Sequence, residues 1–354
     1  MKKTAGPLAR KQTAMVPYID GACRPARPLA RHGAQATPSA IGAGYSAVMN
    51  QSLTLRTALL LTVPPLLWAG NAVVGRLVTD LVPPITLNFL RWLGAFLILL
   101  PLAAWVLRPS SGLYPHWRRF ALLSLLGVGC YNTFQYMALH TSTPLNLTLV
   151  ASSGPFFMLL MGATLFKTPA RGRQWLGAGL SLTGVCVVLS RGDWAQLSQV
   201  RFVVGDLFML LATACWSLYS WLLVRRDEPA HIRADWAAFL LSQVVFGLGW
   251  TGLFSAIEWQ LSDARIVWGW PLLATLAYVA VGPAVLAYRC WGLGVAQAGP
   301  NTSAFFSNLT PIFAALMSAA FIGEWPRLYH GLAFALIVAG IWVSSARRAA
   351  SAQP

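Results

Sequence analysis

Arg91 is the residue whose chemistry fits its surroundings least. It stands in LNFLRWLGAFLILL at 87–100, a run with no other charge. On a helix starting near residue 84 it lies roughly 12 Å along the axis, at about 1.5 Å per residue. A cation that deep in an apolar layer costs at least ~2.5 kcal/mol, so it needs a cavity or a partner. A guanidinium is a planar fork of donors that matches a carboxylate. One expectation is therefore a counter-charge for an anionic or zwitterionic ligand. The other is a structural arginine that snorkels to the surface or pairs with Asp80.

The remaining polar groups in apolar runs fall on helical faces. Trp68 and Asn71 share a stripe with Pro64 and Gly75, and Asn132, Gln135, Tyr136 and His140 form another. Ser152 lies with Thr148, and Ser307 and Thr310 lie with Ser303; Trp216, Tyr219, Gln243 and Tyr288 come from later runs. Hydroxyls and small residues also glue helices together, which is the plainer reading of any single Ser or Thr. Taken together, the Asn, Gln and Tyr positions point to a water-accessible pocket that binds by hydrogen bonds and stacking. His140 and Glu324 are gating or proton-coupling candidates; the bland alternatives are an interfacial histidine and a pair between Glu324 and Arg327. Bond-making chemistry has no carrier. The chain lacks His-Glu-x-x-His, Gly-x-Ser-x-Gly, a Walker loop and paired intramembrane Asp, so an enzyme is not expected, nor a metal site or cofactor. The five cysteines are odd in number and scattered, without metal or redox spacing.

The elements that must position these groups are membrane helices. The 354 residues are 56% hydrophobic and 10% charged, with mean hydropathy +0.59, against about 25% charge in a soluble domain. Ten apolar segments, near 57–77, 84–107, 119–139, 144–166, 173–190, 205–225, 235–257, 269–292, 300–322 and 328–346, each approach the ~20 residues that span a bilayer. Backbone groups in lipid must be satisfied within the segment, so the class is all-α integral membrane. The +16 charge does not imply nucleic acid, because it sits in short clusters between the apolar runs. Arg108, Arg118, Arg119, Lys167, Arg171, Arg173, Arg225, Arg226, Arg233, Arg347 and Arg348 occupy alternate connections, which places both termini in the cytoplasm. Residues 1–52 form a basic tail without a long apolar run, read as disordered or as sequence upstream of a start at Met49.

A repeat organises the rest. Superimposing PLNLTLVASSGPFFMLLMGATLFKTP at 144–169 on PNTSAFFSNLTPIFAALMSAAFIGEWP at 300–326 brings Pro155 to Pro311, Phe157 to Phe313 and Gly184 to Gly340. Trp68 and Trp216 fit as equivalents, as do Gly129 and Gly282. The boundaries are 53–190 for the first five-helix repeat, 191–204 for an external linker, 205–346 for the second repeat and 347–354 for a short tail. Five is odd, so the halves are inverted, with a substrate site expected at mid-membrane between them.

WAGN at 68–71, LNFLRWLGAFLILL at 87–100, CWSLYS at 215–220, NTSAFFSNLTPIFAALMSAAFIGE at 301–324 and HGLAFALIVAGIWV at 330–343 resemble the EamA type of the drug/metabolite transporter superfamily. The resemblance covers about 55–346. It departs at Thr168, which stands where the fourth helix of a half often ends in an acid, as Glu324 does in the second half. It implies a secondary transporter of the bacterial cytoplasmic membrane, exporting an amino acid, a related metabolite or an amphiphilic drug by alternating access. Proton coupling or exchange and a homodimer fit the same architecture. An organic-phosphate or nucleotide-sugar exchanger, or a membrane receptor or scaffold, stands as the alternative.

Overall fold

The computed structural model describes residues 53–345 except 79, 140, 143, 200, 264 and 323–326, and omits the side chains of 72, 73, 75–77, 136, 139, 144–146 and 318–322. The tail 1–52, His140, Glu324, the segment 347–354 and the side chain of Tyr136 therefore lie outside the described residues. Among the described residues all regular structure is helical, and helix occupies each of the ten expected spans. Six runs among the described residues are at once long and apolar enough to cross a bilayer: Pro84–Leu107, Leu147–Thr164, Val204–Val224, Trp236–Leu261, Trp270–Ser307 and Leu328–Ser345.

Helix α1 (Leu55–Leu77) carries Pro64 and Pro65 inside it. Helix α2 (Pro84–Ala103) starts with a proline in its first turn, where a missing N–H costs nothing. Its free Ile85 and Thr86 amides donate to Glu258 at 3.0 and 2.7 Å. The third span runs α3 (Trp117–Ser124), a π-helical turn (Leu125–Cys130) and α4 (Tyr131–Leu139). The fourth is α5 (Pro144–Ala151) and α6 (Gly154–Thr164), followed by α7 (Gly172–Leu189). In the second half come α8 (Val204–Val224) and α9 (Trp236–Leu261). Next are α10 (Trp270–Val279), a π-helical turn (Ala280–Leu286) and α11 (Ala287–Ser307). Gly299, at φ 79°, kinks α11 where the eighth span hands over to the ninth. Helices α12 (Thr310–Ile322) and α13 (Leu328–Ser345) complete the chain.

The repeat is visible in the interruptions. Proline has no N–H, and its ring clashes with the carbonyl four residues back. The helix accordingly breaks at residues 152–153 before Pro155 and again at residues 308–309 before Pro311, which are matching positions. The two π-helical turns also match: Gly129 lies in the first and Gly282 in the second. Such turns loosen the backbone ladder and frequently occur at functional sites.

Small residues let the last spans of the two halves meet closely. A Cβ on Gly177 of α7 would stand 2.6 Å from the Gly340 carbonyl oxygen of α13, and one on Gly340 would stand 2.7 Å from the Gly177 carbonyl oxygen. Leu97, Leu160, Leu211, Leu253, Leu332 and Trp342 are exposed and present an apolar exterior to lipid. Trp117, Trp194, Trp259, Trp268 and Trp270 are exposed near span ends, as interfacial anchors are. At the end of the bundle carrying 225–235, the buried Glu228 carboxylate pairs with Arg119 at 3.1 Å and with Arg233. The same arginines cap the carbonyls of Leu222, Leu223 and Arg225 at the close of α8.

Candidate functional site: a central cavity above an aromatic floor

A cavity of about 750 Å³ opens among α1, α2, α4–α6, α8, α11 and α12, so both halves contribute to its wall. It extends toward the end of the bundle that carries Val78, Val82, Pro84 and Ser142. Most candidate residues line it: Trp68 and Asn71 from α1, Arg91 from α2, Asn132 and Gln135 from α4, and Ser152 from the first helix break. Trp216, Tyr288, Ser307 and Thr310 line it from the second half. At the first helix break Ser152 Oγ donates to the Thr148 carbonyl at 2.6 Å and Ser153 Oγ to the Val150 carbonyl at 2.5 Å, beside the backbone N–H bonds that these carbonyls also accept.

Two candidates lie elsewhere. Gln243 and Tyr219 do not line this cavity but face a smaller one of about 110 Å³, nearer Arg233 and Trp236. Gln243 points from α9 toward its own backbone, donating to the Phe239 carbonyl at 3.2 Å. Tyr219 lies three residues from Trp216 on α8 and is carried beneath it, 5.2 Å between ring centres. Ser303 is also off the wall; its hydroxyl turns to the Gly299 carbonyl at 2.9 Å.

The sequence reading missed Tyr131, Thr213 and Asn308, all of which line the cavity. Tyr131 precedes Gln135 by four residues and Thr213 precedes Trp216 by three, so each shares a helical face with a candidate. Asn308 sits in the Ser307–Thr310 stripe, and its amide donates to Ser181 Oγ at 2.8 Å.

The floor of the cavity is aromatic. Trp216 sits at its centre, with ring centres 5.2 Å from Trp68, 5.1 Å from Tyr131, 5.3 Å from Trp291 and 5.6 Å from Tyr288. Tyr288 lines both cavities, so this layer is what stands between them. The Tyr288 hydroxyl donates to the Gly127 carbonyl in the first π-helical turn. Aromatic pairs in such offset and edge geometries add about 0.5–1.5 kcal/mol each beyond burial.

Arg91 does not snorkel and does not reach Asp80. It is 3% exposed, and its Nη2 donates to the Pro283 carbonyl at 3.0 Å, in the second π-helical turn. Trp68 Nε1 donates to the same oxygen at 3.4 Å. The Trp92 ring lies 5.3 Å from the guanidinium carbon, and Nε has no partner. Leaving a buried charged donor unmet costs more than the ~1–3 kcal/mol of a neutral one. Nothing in this arrangement activates a nucleophile or sets up an acid–base pair. It is a helical bundle that holds a cavity walled by both halves over an aromatic layer.

The family model of the EamA-like transporter family matches this chain twice, at residues 55–190 and 203–346. The chain belongs to that family: it is a multi-pass integral membrane transporter and not an enzyme. An uncharacterized transporter of Archaeoglobus fulgidus is 25% identical over 300 residues, 83% of this chain and 98% of that protein. A probable amino-acid metabolite efflux pump of Salmonella typhimurium is 24% identical over 294 residues, 78% of this chain and 90% of that one. The aromatic amino acid exporter YddG of Ancylobacter novellus is 26% identical over 220 residues, 62% and 73% of the two chains. A crystal structure of a protein aligns with TM-score 0.63 at 23% identity over 82% of this chain and 96% of its own, a likeness of fold alone.

Proposed function

We propose that this transporter exports a small amphiphilic metabolite, an amino acid or a related compound, across a bacterial cytoplasmic membrane. It does so by alternating access between two inverted five-helix halves, with both termini in the cytoplasm. The observation that carries the reading is the pairing of a cavity of about 750 Å³, walled by both halves, with an aromatic floor. A ligand of amino-acid size fits that volume, apolar area suits its body, and Asn71, Asn132 and Gln135 offer polar contacts. With the basic connections inside, the large cavity faces outward and the aromatic layer closes the inner side. Two relatives bear names that specify amino-acid or amino-acid-metabolite export, which supports the same substrate class.

An organic-phosphate exchanger fits less well. Multiply charged phosphates call for several cations, and Arg91 is the one charged side chain among the described residues of the cavity wall. Arg289 is exposed and lies over the Trp236 ring at 4.2 Å, beside the smaller cavity. The test is counterflow in proteoliposomes of purified protein, using radiolabelled amino acids and their amphiphilic derivatives, with and without an imposed proton gradient. Saturable movement of at least one such compound is expected. Movement of sugar phosphates alone, or of nothing in the panel, would overturn the reading.

A further inference from the structure

We infer, on the basis of that transport reading, that the ligand is a carboxylate with an apolar body, and that its carboxylate takes Arg91 from the Pro283 carbonyl as it binds. Three observations converge on this. The first is charge. Arg91 is the one charged residue among the described cavity-lining residues. No carboxylate answers it: the ion pairs among the described residues are Arg119–Glu228, Arg225–Asp227 and Arg233–Glu228, all at the far end of the bundle. A cationic ligand would meet repulsion here, and a neutral one would leave the charge uncompensated.

The second is valence. Of the Arg91 donors, Nη2 is held by one neutral carbonyl and Nε is buried without a partner. Nε and Nη2 form one edge of the guanidinium fork, the edge that a carboxylate engages with both oxygens. A charge-assisted bond of this kind is roughly twice as strong as one to a neutral carbonyl, so a carboxylate that draws the Nε–Nη2 edge toward itself outcompetes Pro283 for the guanidinium.

The third is what Pro283 belongs to. Its carbonyl ties α1 and α2 to the second π-helical turn, through Trp68 and Arg91. The matching turn in the first half is tied in the same way: Asn88 Nδ2 reaches the Val128 carbonyl at 3.4 Å, and the Tyr288 hydroxyl bonds the Gly127 carbonyl. Side chains thus fasten the two loosened backbone segments to their neighbours. Removing Arg91 from one of them frees the eighth span to move only when an anion is in place. Substrate recognition and movement of the eighth span are then the same event.

The experiment compares phenylalanine, 3-phenylpropionate and phenethylamine, which share a ring but differ in carrying a carboxylate. Full-length protein is assayed for uptake in proteoliposomes and for thermal stabilisation in detergent. Both acids are expected to be carried and to raise the melting temperature; the amine is expected to do neither. Arg91→Lys keeps the charge but loses the fork, and should weaken acid binding by about tenfold or more, on the scale of one lost charge-assisted bond. In protein whose other cysteines are Ser, the buried Cys290 of α11 should react with a maleimide faster when an acid is bound and unchanged with the amine. Uptake of the amine as fast as the acids would sink the carboxylate inference and leave the transport reading intact. Failure to bind or carry any of the three overturns it too. Acid binding with no change at Cys290 would overturn the exchange at Pro283. If Arg91→Lys does not accumulate, the three-probe comparison in the unaltered protein still decides.

Discussion

The indole rings of Trp68 and Trp216 stand edge to face, 5.2 Å between centres and 87° between planes. The two residues occupy corresponding places in the opening spans of the two halves, so each half supplies one plate of the same closure. Trp291 completes a triangle with them, at 5.7 and 5.3 Å.

This geometry makes Trp216 the residue whose loss opens the floor. Truncating a buried tryptophan leaves a cavity and costs about 3–5 kcal/mol. Here that void would join the two cavities that Tyr288 already borders. Proteoliposomes carrying Trp216→Ala should lose an imposed pH gradient faster than those with unaltered protein. Trp216→Phe, which keeps a ring in place, should hold it. Equal leak rates for all three would mean the seal lies elsewhere.

How far the sequence reaches can be judged at particular residues. Hydropathy locates helices well, because backbone in lipid has few alternatives to helix. The cost of burying Arg91 predicts an enclosed environment, and the side chain is 3% exposed. Periodicity places Asn71, Asn132 and Ser307 on faces that turn out to share one cavity. It fails for Gln243, because α9 is apolar nearly all round and a lone polar residue does not say which neighbour it faces. Trp291 was missed for a related reason: an indole in an apolar run is equally at home against lipid. The π-helical turns were beyond reach, since Gly and Pro signal weakness in a helix but not the change of hydrogen-bond register that results.

The orientation rests on charge and can be tested alone. Basic residues fill alternate connections, and cytoplasmic connections are the basic ones. Reporter fusions at Pro354 should read cytoplasmic, and fusions within 191–204 should read external. A cytoplasmic signal from both positions would break the inverted arrangement of the halves.

Glu228 should prove structural rather than functional. Its side chain is 0% exposed and lies between Arg119 and Arg233, whose remaining donors cap the end of α8. Removing one partner of a buried pair strands the other's charge, at about 3–5 kcal/mol; Arg233 is partly solvated, which favours the lower figure. Glu228→Ala should lower the melting temperature in detergent, while transport per folded molecule stays near normal. Glu228→Gln keeps acceptor and donor atoms and should fall between. An unchanged melting temperature in Glu228→Ala would show that the arginines are satisfied by carbonyls and water alone.

The cavity wall itself makes a graded prediction. Ser307 and Thr310 are half-buried on the cavity side, whereas Ser152 lines the cavity but is buried, with its hydroxyl turned to Thr148. Ser303 lies one helical turn from Ser307, fully buried and outside the cavity, with its hydroxyl on Gly299. Thiol reactivity needs access for the reagent and water to stabilise the thiolate. In protein lacking native cysteines, Ser307→Cys and Thr310→Cys should therefore react fastest with a water-soluble maleimide. Ser152→Cys should be slower, and Ser303→Cys nearly inert. A transported compound should slow the first three and leave the last unchanged. The order matters more than any single rate, because a general loosening of the bundle would raise all four together. If Ser303→Cys labels as fast as Ser307→Cys, the ninth span does not present the face described here, and the cavity has a different wall.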